Sequence, residues 1–247
     1  MYLLLSGEGP GDIGICNPSG DACDRTALAE GPMTIIIDQL IEQFLSYEMS
    51  HLDTDRVSYV SESFLAGSRQ RPAKKAMALK GKKRPAETKY YFENARALAV
   101  AAKAKAEAVA DHVIAVLFRD SDGTASASRG DWESKRNSML QGFASEGYEF
   151  GVPMIPKPKS EAWLLCAFRP DPYQHCTVLE SASGNDRGQN PLKAQLNAAL
   201  SGQSSTADLN HRLRERRIDV SRIDMPSFDA FRQSLQHVVQ RAVRDPV

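Results

Sequence analysis

One continuous apolar run, residues 112–118, constrains the fold more than any other feature of this sequence. Its residues are His-Val-Ile-Ala-Val-Leu-Phe, with no polar side chain alternating after the histidine. A strand that is apolar on both faces is typical of a parallel sheet covered by helices on both sides. A shorter apolar run, residues 2–5, opens the chain. We therefore expect an α/β fold with a mostly parallel central sheet flanked by helices.

Strand-like and helix-like segments alternate along the first two-thirds of the chain. The predicted elements are, in order, a strand at 2–5, a loop at 14–31, a helix at 33–49, a strand at 57–64, a helix at 88–110, a strand at 112–118, a helix at 132–146, a strand at 150–155 and a helix from 162. After Pro170 polar loops surround two amphipathic helices, at 191–200 and 227–243. The sequence thus predicts a domain over residues 1–168 and a helical C-terminal extension, 169–247, packed on it.

Charge is balanced over the whole chain but not along it. The 247 residues include 31 basic and 31 acidic side chains, so no global field draws the protein to nucleic acid or to a membrane. Residues 69–89 nevertheless contain nine Lys or Arg and one acid, which makes them the candidate nucleic-acid contact or, alternatively, a solvated loop. The nucleic-acid-binding candidates are Arg69, Arg71, Lys74, Lys75, Lys80, Lys82, Lys83 and Arg84. A second basic cluster comprises Arg212, Arg214, Arg216 and Arg217.

The N-terminus and the cysteines suggest a location inside the cell. The first apolar run is too short for a secretory signal, and no stretch is long enough to span a bilayer. Cys16, Cys23, Cys166 and Cys176 include no CxxC pair, so a zinc site with His175 is not favoured. We expect a cytoplasmic protein, away from membranes, with reduced cysteines.

Acidic side chains follow the predicted strands. Glu8 and Asp12 lie in a glycine-rich turn after the first strand, Asp120 and Asp122 follow the strand at 112–118, and Glu161 follows the strand at 150–155. Ligands of parallel α/β sheets bind beyond the carboxyl ends of the strands, so these acids are expected to converge. Carboxylate oxygens suit Mg²⁺, and a cation would relieve their mutual repulsion. Each acid alone could instead be a solvated cap.

Two other motifs compete for the same residues. The turn Gly7-Glu8-Gly9-Pro10-Gly11-Asp12 suggests a dinucleotide loop, but Asp12 stands where the third glycine belongs, and acids repel pyrophosphate. Asp120-Ser121-Asp122-Gly123-Thr124 resembles the motif of haloacid dehalogenase-like phosphatases, with Asp120 as nucleophile and Asp122 as acid/base. That motif normally opens its domain, whereas here 119 residues precede it.

Two segments together resemble the Toprim domain of topoisomerases, primases and OLD-family nucleases. They are the glycine-rich turn at residues 6–12 that contains Glu8, here called the glutamate turn, and the Asp120-Ser121-Asp122 segment. Residues 156–165 (PKPKSEAWLL) and 226–228 (PSF) are similar to small stand-alone Toprim-related proteins of bacterial defence loci. The resemblance covers residues 2–168 as a fold and is weaker beyond them. It implies a four-stranded, mostly parallel sheet that holds one or two Mg²⁺ ions, with Mn²⁺ as a substitute, for phosphodiester hydrolysis.

The resemblance also implies roles for individual residues. Glu8 would be a metal ligand or general acid/base, and Asp120 and Asp122 would be ligands with a direct part in catalysis. Asp12 would be the second acid of the turn, and Glu161 a further ligand. Lys159, or alternatively Lys157, would stabilise the pentavalent transition state.

The function implied is a Mg²⁺-dependent endonuclease acting on DNA or on RNA, including tRNA. By the same resemblance it would be an effector of anti-phage defence that works with an ABC-type ATPase partner, and a homo-oligomer is compatible with the sequence. The alternative is a non-catalytic nucleic-acid-binding or partner-binding subunit with a degenerate Toprim site. Tyr90 and Tyr91 are expected to pack rather than to act as strand-transfer nucleophiles.

Overall fold

A five-stranded sheet organises the chain in the computed structural model, which describes residues 1–68, 86–121 and 132–245. The strands are β1 (Tyr2–Gly7), β2 (Gly14–Cys16), β3 (Ala22–Asp24), β4 (Leu28–Glu30), β5 (Val57–Val60), β6 (Val113–Phe118) and β7 (Gly151–Met154). The sheet has the order β3-β5-β1-β6-β7, and β2 pairs with β4 separately. Strands β5, β1, β6 and β7 are parallel, and β3 is antiparallel to β5 at one edge. The predicted α/β architecture with a mostly parallel sheet is confirmed.

The two central strands, β1 and β6, are buried on both faces, as their unbroken apolar sequences predict. In β1, Leu3 and Leu5 belong to one hydrophobic cluster, whereas Tyr2 and Leu4 belong to the other. The β6 side chains divide between the same two clusters. Successive residues of a strand point to opposite faces, so each cluster fills the space between one face of the sheet and its helices.

Helices cover both faces of this sheet. They are α1 (Pro32–Leu45), α2 (Glu62–Gly67), α3 (Ala86–Val109), α4 (Trp132–Ser145), α5 (Ser160–Phe168), α6 (Leu192–Ala199), α7 (Thr206–Arg214) and α8 (Pro226–Arg244). Helices α3 and α4 contribute Leu98 and Met139 to the cluster on one face. Helices α1, α5 and α8 contribute Ile36, Trp163 and Phe231 to the cluster on the other. Among the described helices, none is both long and apolar enough to cross a membrane.

Helix α8 packs directly on α5, the helix that follows β7. The Trp163 ring lies 5.0 Å from the Phe228 ring and 5.8 Å from the Phe231 ring, centroid to centroid. Its indole N–H donates a hydrogen bond of 2.9 Å to the Ser227 hydroxyl. One apolar cluster therefore includes residues on both sides of position 168, and the division into two domains there remains a prediction.

The predicted elements differ from the observed ones in three places. The strand predicted at 57–64 ends at Val60, because Ser61 caps α2 by accepting a hydrogen bond of 3.0 Å from the Phe64 N–H. The loop predicted at 14–31 contains β2, β3 and β4, each of three residues. Such strands are too short for side-chain alternation to indicate them. Helix α7 was also not predicted.

The expectation of reduced cysteines is wrong. Cys16 is bonded to Cys23, with their Cα atoms 5.8 Å apart, and Cys166 is bonded to Cys176, with theirs 5.3 Å apart. Chain reversals after β2 and after α5 bring together cysteines separated by only seven and ten positions. The cytoplasmic location remains a prediction.

Candidate active site

The four parallel strands end at the same edge of the sheet, and an acidic side chain follows each of them. Glu8 follows β1, Glu62 follows β5, Asp120 follows β6 and Glu161 follows β7 by seven residues. Their placement agrees with the rule that ligand sites of open parallel sheets lie beyond the strand carboxyl ends. This edge is the candidate site.

Glycines allow the turn after β1 to fold tightly against its neighbour. A Cβ atom on Gly7 would lie 2.6 Å from the Phe118 carbonyl oxygen, so only glycine fits there. Gly9 has a φ of +81°, which glycine adopts readily. The Asp12 N–H then donates a 3.0 Å hydrogen bond to the Gly9 carbonyl, so a turn rather than a helix follows Glu8. Glu8 and Asp12 consequently have different partners.

Asp120 lies at the centre of the site. Its N–H donates a hydrogen bond of 3.0 Å to Glu8 Oε1. Its own Oδ1 accepts one of 3.0 Å from the N–H of Ser160, the first residue of α5. The Tyr91 hydroxyl donates a 2.8 Å hydrogen bond to the Asp120 carbonyl. The carboxylate of Asp120 is thus fixed at the N-terminus of a helix, where a negative charge is stabilised.

Ser160 links the remaining acids to Asp120. Its side chain is buried, and its hydroxyl donates a hydrogen bond to Asp12 Oδ1. The same hydroxyl lies 3.5 Å from Glu161 Oε2. Asp12, Asp120 and Glu161, predicted from the sequence to converge, therefore surround one serine.

Burial and mutual repulsion make these carboxylates harder to ionise. Burial raises the pKa of Asp120 well above its ordinary value, and the charges of Asp12, Glu161 and Glu8 raise it further. Burial also raises the pKa of Asp12, to about 6, although the Ser160 hydrogen bond opposes this rise. A bound cation would reverse both effects, because it favours the ionised carboxylates.

Glu8 differs from the other acids because a cation inside the protein already faces it. Arg119 Nη2 lies 3.0 Å from Glu8 Oε2, and Nη1 lies 2.8 Å from Glu62 Oε1. Burial raises the pKa of Glu8, but the Arg119 charge offsets part of that rise. For Arg119, burial alone would lower the pKa, but the charges of Glu8 and Glu62, with contributions from Tyr91 and Tyr90, raise it above its ordinary value.

The two predicted lysines have separate positions. Lys159 Nζ lies 3.0 Å from Asp186 Oδ1, and its charge lowers the pKa of Asp12. Lys157 Nζ lies 3.9 Å from Glu180 Oε2. Of the two, Lys159 is the one whose charge acts on the acids of the site.

Several predicted residues lie outside the described part of the chain. They are Asp122 and the nucleic-acid-binding candidates Arg69, Arg71, Lys74, Lys75, Lys80, Lys82, Lys83 and Arg84. The second basic cluster is described, and its side chains bind partners within the protein. Arg214 pairs with Glu30, Arg216 with Glu42, Arg217 with Glu215, and Arg212 donates to Gln203.

Five residues of the site were not assigned to it from the sequence. They are Glu62, Tyr91, Arg119, Lys135 and Ser160. Lys135 of α4 is buried, and its ammonium group donates to the Ser121 carbonyl beside Asp120. A charged residue on the inward face of a helix is a signal that could have found it. The position of Arg119 directly before Asp120 could have indicated that residue too.

The acids match the donor chemistry of Mg²⁺, which prefers carboxylate oxygens. Within residues 1–68, 86–121 and 132–245, however, no three Asp, Glu, His or Cys side chains form a group that could hold a metal ion. The nearby acids therefore suit a hard cation in type and charge, while the described side chains do not form a complete coordination set. Asp122 is not included in this statement, because it lies outside the described residues.

Comparisons with protein-family models, with curated proteins and with solved structures found no match to this chain.

Proposed function

We propose that this protein is a metal-dependent phosphodiester hydrolase, a Mg²⁺-dependent endonuclease of Toprim type acting on DNA or RNA. The observation that supports the proposal is the convergence of Asp12, Asp120 and Glu161 around Ser160, with Glu8 bound to the Asp120 N–H. Acids that repel one another at the carboxyl edge of a parallel sheet are suited to a divalent cation.

In this proposal Asp12, Asp120, Glu161 and Glu8 would supply part of the metal's coordination set, since the described side chains do not form a complete one. Bound Mg²⁺ would polarise the scissile phosphate and lower the pKa of a water molecule that attacks it. Mn²⁺ would substitute for it. Asp122 would join these ligands.

Other residues of the chain position the acids and neutralise charge. The backbone N–H of Ser160 keeps the Asp120 carboxylate in place, and its hydroxyl does the same for Asp12. The described part of the site contains five carboxylates, so an anionic phosphate needs positive charge beside it. Lys159, rather than the alternative Lys157, would supply part of that charge to the transition state, a role that the resemblance to Toprim nucleases implies.

The substrate backbone would bind the basic residues between positions 69 and 84, because phosphate contacts position a nucleic acid without reading its sequence. The wider role in anti-phage defence, with an ABC-type ATPase partner, is part of the same proposal. It is supported by the resemblance of the glutamate turn and the Asp120 segment to Toprim proteins of bacterial defence loci.

A second candidate is a non-catalytic nucleic-acid-binding subunit with a degenerate site. Two observations favour it. Glu8 is already paired with Arg119, and the described acids do not form a complete metal-binding group. This candidate predicts that nucleic acid binds without metal and is not cut.

The test is a cleavage assay on plasmid DNA, single-stranded DNA and total tRNA with Mg²⁺, Mn²⁺ or EDTA. The variant is Asp120→Asn, and the matched control is Asp53→Asn, at an exposed aspartate in the loop between α1 and β5. Metal-dependent cutting that is lost in Asp120→Asn and kept in Asp53→Asn would support the hydrolase. Binding that survives EDTA, with no cutting by any form of the protein, would favour the binding subunit instead.

A further inference from the structure

Arg119 is held by contacts on several sides at the end of β6. Its Nη1 donates a hydrogen bond of 2.8 Å to Glu62 Oε1, and Nη2 forms an ion pair of 3.0 Å with Glu8. The guanidinium carbon lies 4.3 Å from the Tyr90 ring centroid and 5.4 Å from that of Tyr91. Such contacts with aromatic faces fix the plane of the guanidinium group.

We propose that Arg119 binds a phosphate group of the substrate, and that Glu8 is the partner it exchanges for that phosphate. The reaction of the bound substrate rests on the proposed function, whereas the binding of phosphate by Arg119 is tested separately. A guanidinium group carries five N–H donors in a planar fork that matches two phosphate oxygens. The ion pairs with Glu8 and Glu62 engage only its two Nη atoms, and 24% of the side chain is exposed. A phosphate can therefore reach it.

Glu8 connects Arg119 to the centre of the site. Its Oε2 faces Arg119, while its Oε1 accepts the hydrogen bond of 3.0 Å from the Asp120 N–H. A divalent cation beside Asp120 would therefore compete with Arg119 for the same carboxylate. When Glu8 binds that cation, Arg119 keeps its ion pair with Glu62 and loses its ion pair with Glu8. The Nη2 group that faced Glu8 can then donate to a phosphate at the position that Glu8 has left.

The distribution of charge in the site gives a reason for a phosphate-binding cation beside the acids. Asp12, Asp120 and Glu161 repel an incoming phosphate, and Lys159, which is paired with Asp186, supplies only one positive charge against these three carboxylates. Arg119 is the residue directly before Asp120, so its cation lies next to the acids that would hold the metal. Arginine is the side chain best suited to this task, since it stays charged when partly buried.

Calorimetry on the full chain tests this inference without any cleavage. The first probe is thymidine 3′,5′-bisphosphate in Ca²⁺, and the second is Mn²⁺ alone. The variants are Arg119→Gln and Arg119→Lys, which keeps the charge but not the fork. The control is Arg56→Gln, at an arginine that pairs with Asp111 before β6 begins.

Arg119→Gln should weaken binding of the bisphosphate about 10- to 100-fold, the range expected for hydrogen bonds to a charged group. Arg119→Lys should weaken it about 10-fold, since a point charge replaces a two-pronged contact. Arg119→Gln should bind Mn²⁺ more tightly than the unmodified protein, because Glu8 is released from a competing cation. Arg119→Lys keeps that cation and should change Mn²⁺ affinity less. Arg56→Gln should change neither affinity.

Unchanged bisphosphate affinity in both Arg119 variants would overturn the inference, even if the protein cuts nucleic acid. It would also be overturned if the unmodified protein does not bind the bisphosphate, or if affinities for both probes fall together, which indicates a structural role. If no nucleic acid is cut but both Arg119 variants lose bisphosphate binding and Arg119→Gln gains Mn²⁺ binding, the phosphate contact is supported and the proposed hydrolase fails.

Discussion

The candidate site has two sides, and they differ in whether a cation of the protein pairs with their acids. On the arginine side, Glu8 and Glu62 share the Arg119 cation. On the serine side, Asp12, Asp120 and Glu161 surround Ser160, whose hydrogen bonds add no positive charge. Lys159 and Lys193 lower the pKa of Asp12, but burial still leaves it at about 6. The arginine side is therefore partly compensated from within the protein, whereas the serine side would gain most from an external cation.

Asp120→Asn should have the largest effect, and its effects on activity and stability should be opposite. Removing a proposed metal ligand should lower the cleavage rate by about 1,000-fold, which corresponds to several kcal/mol of transition-state stabilisation. The metal-free variant should nevertheless unfold at a higher temperature, because one of three mutually repelling charges is gone. Asparagine can still accept the Ser160 N–H. Thermal unfolding in EDTA checks this, and a lower unfolding temperature would refute the view of an uncompensated serine side.

The second prediction concerns pH and the metal-free protein. The pKa of Asp12 is about 6 in the folded chain and about 4 when unfolded, so folding takes up a proton between these values. The free energy of unfolding should therefore fall as pH rises from about 4 to about 6, by at most about 3 kcal/mol. Asp120, with its raised pKa, contributes in the same direction.

Urea unfolding at several pH values measures this dependence. Asp12→Asn should flatten the part of the curve between pH 4 and pH 6. Addition of Mn²⁺ to the unmodified protein should restore stability at the upper end. A curve that rises with pH throughout this window would contradict the assignment, because it would require carboxylates that are better stabilised in the folded state.

The acids at the strand ends could be predicted from the sequence, but the ion pairs between side chains of different strand ends could not. The apolar runs 2–5 and 112–118 placed Glu8 and Asp120 correctly, since parallel strands end at a common edge. The Arg119 contact with Glu62 joins residues 57 positions apart. It depends on sheet order and on β5 ending at Val60, whereas the sequence suggested a strand that continued through Glu62.

The disulfides and the role of Ser160 could not be predicted from the sequence for a related reason. Side-chain periodicity indicates which residues are buried, but not which buried residues touch. Cys166 and Cys176 meet because the chain reverses after α5, and no alternation of side chains marks that reversal. Ser160 appears in the sequence only as the residue before Glu161. Its hydrogen bond to Asp12 spans 148 positions.

Ser160→Ala tests whether hydrogen bonds organise the serine side. The Asp12 carboxylate would lose its hydroxyl donor, while the Ser160 backbone N–H to Asp120 would remain. We expect cleavage to fall about 10-fold, the equivalent of one hydrogen bond to a charged group. Ser145→Ala, at an exposed serine near the end of α4, is the matched control. Equal rates in the two variants would show that Ser160 does not position the acids.

Glu62→Gln should give the smallest effect, with a sign opposite to that of Asp120→Asn. Removing a charge on the arginine side leaves Arg119 with Glu8 alone, so the metal-free protein should lose about 1 kcal/mol of stability. Glu48→Gln, at an exposed glutamate after α1, should leave stability unchanged. Thermal unfolding of both variants in EDTA measures the difference. If Glu62→Gln stabilised the protein as Asp120→Asn is expected to do, the two sides would be equally uncompensated, and Arg119 would not serve as the cation of its side.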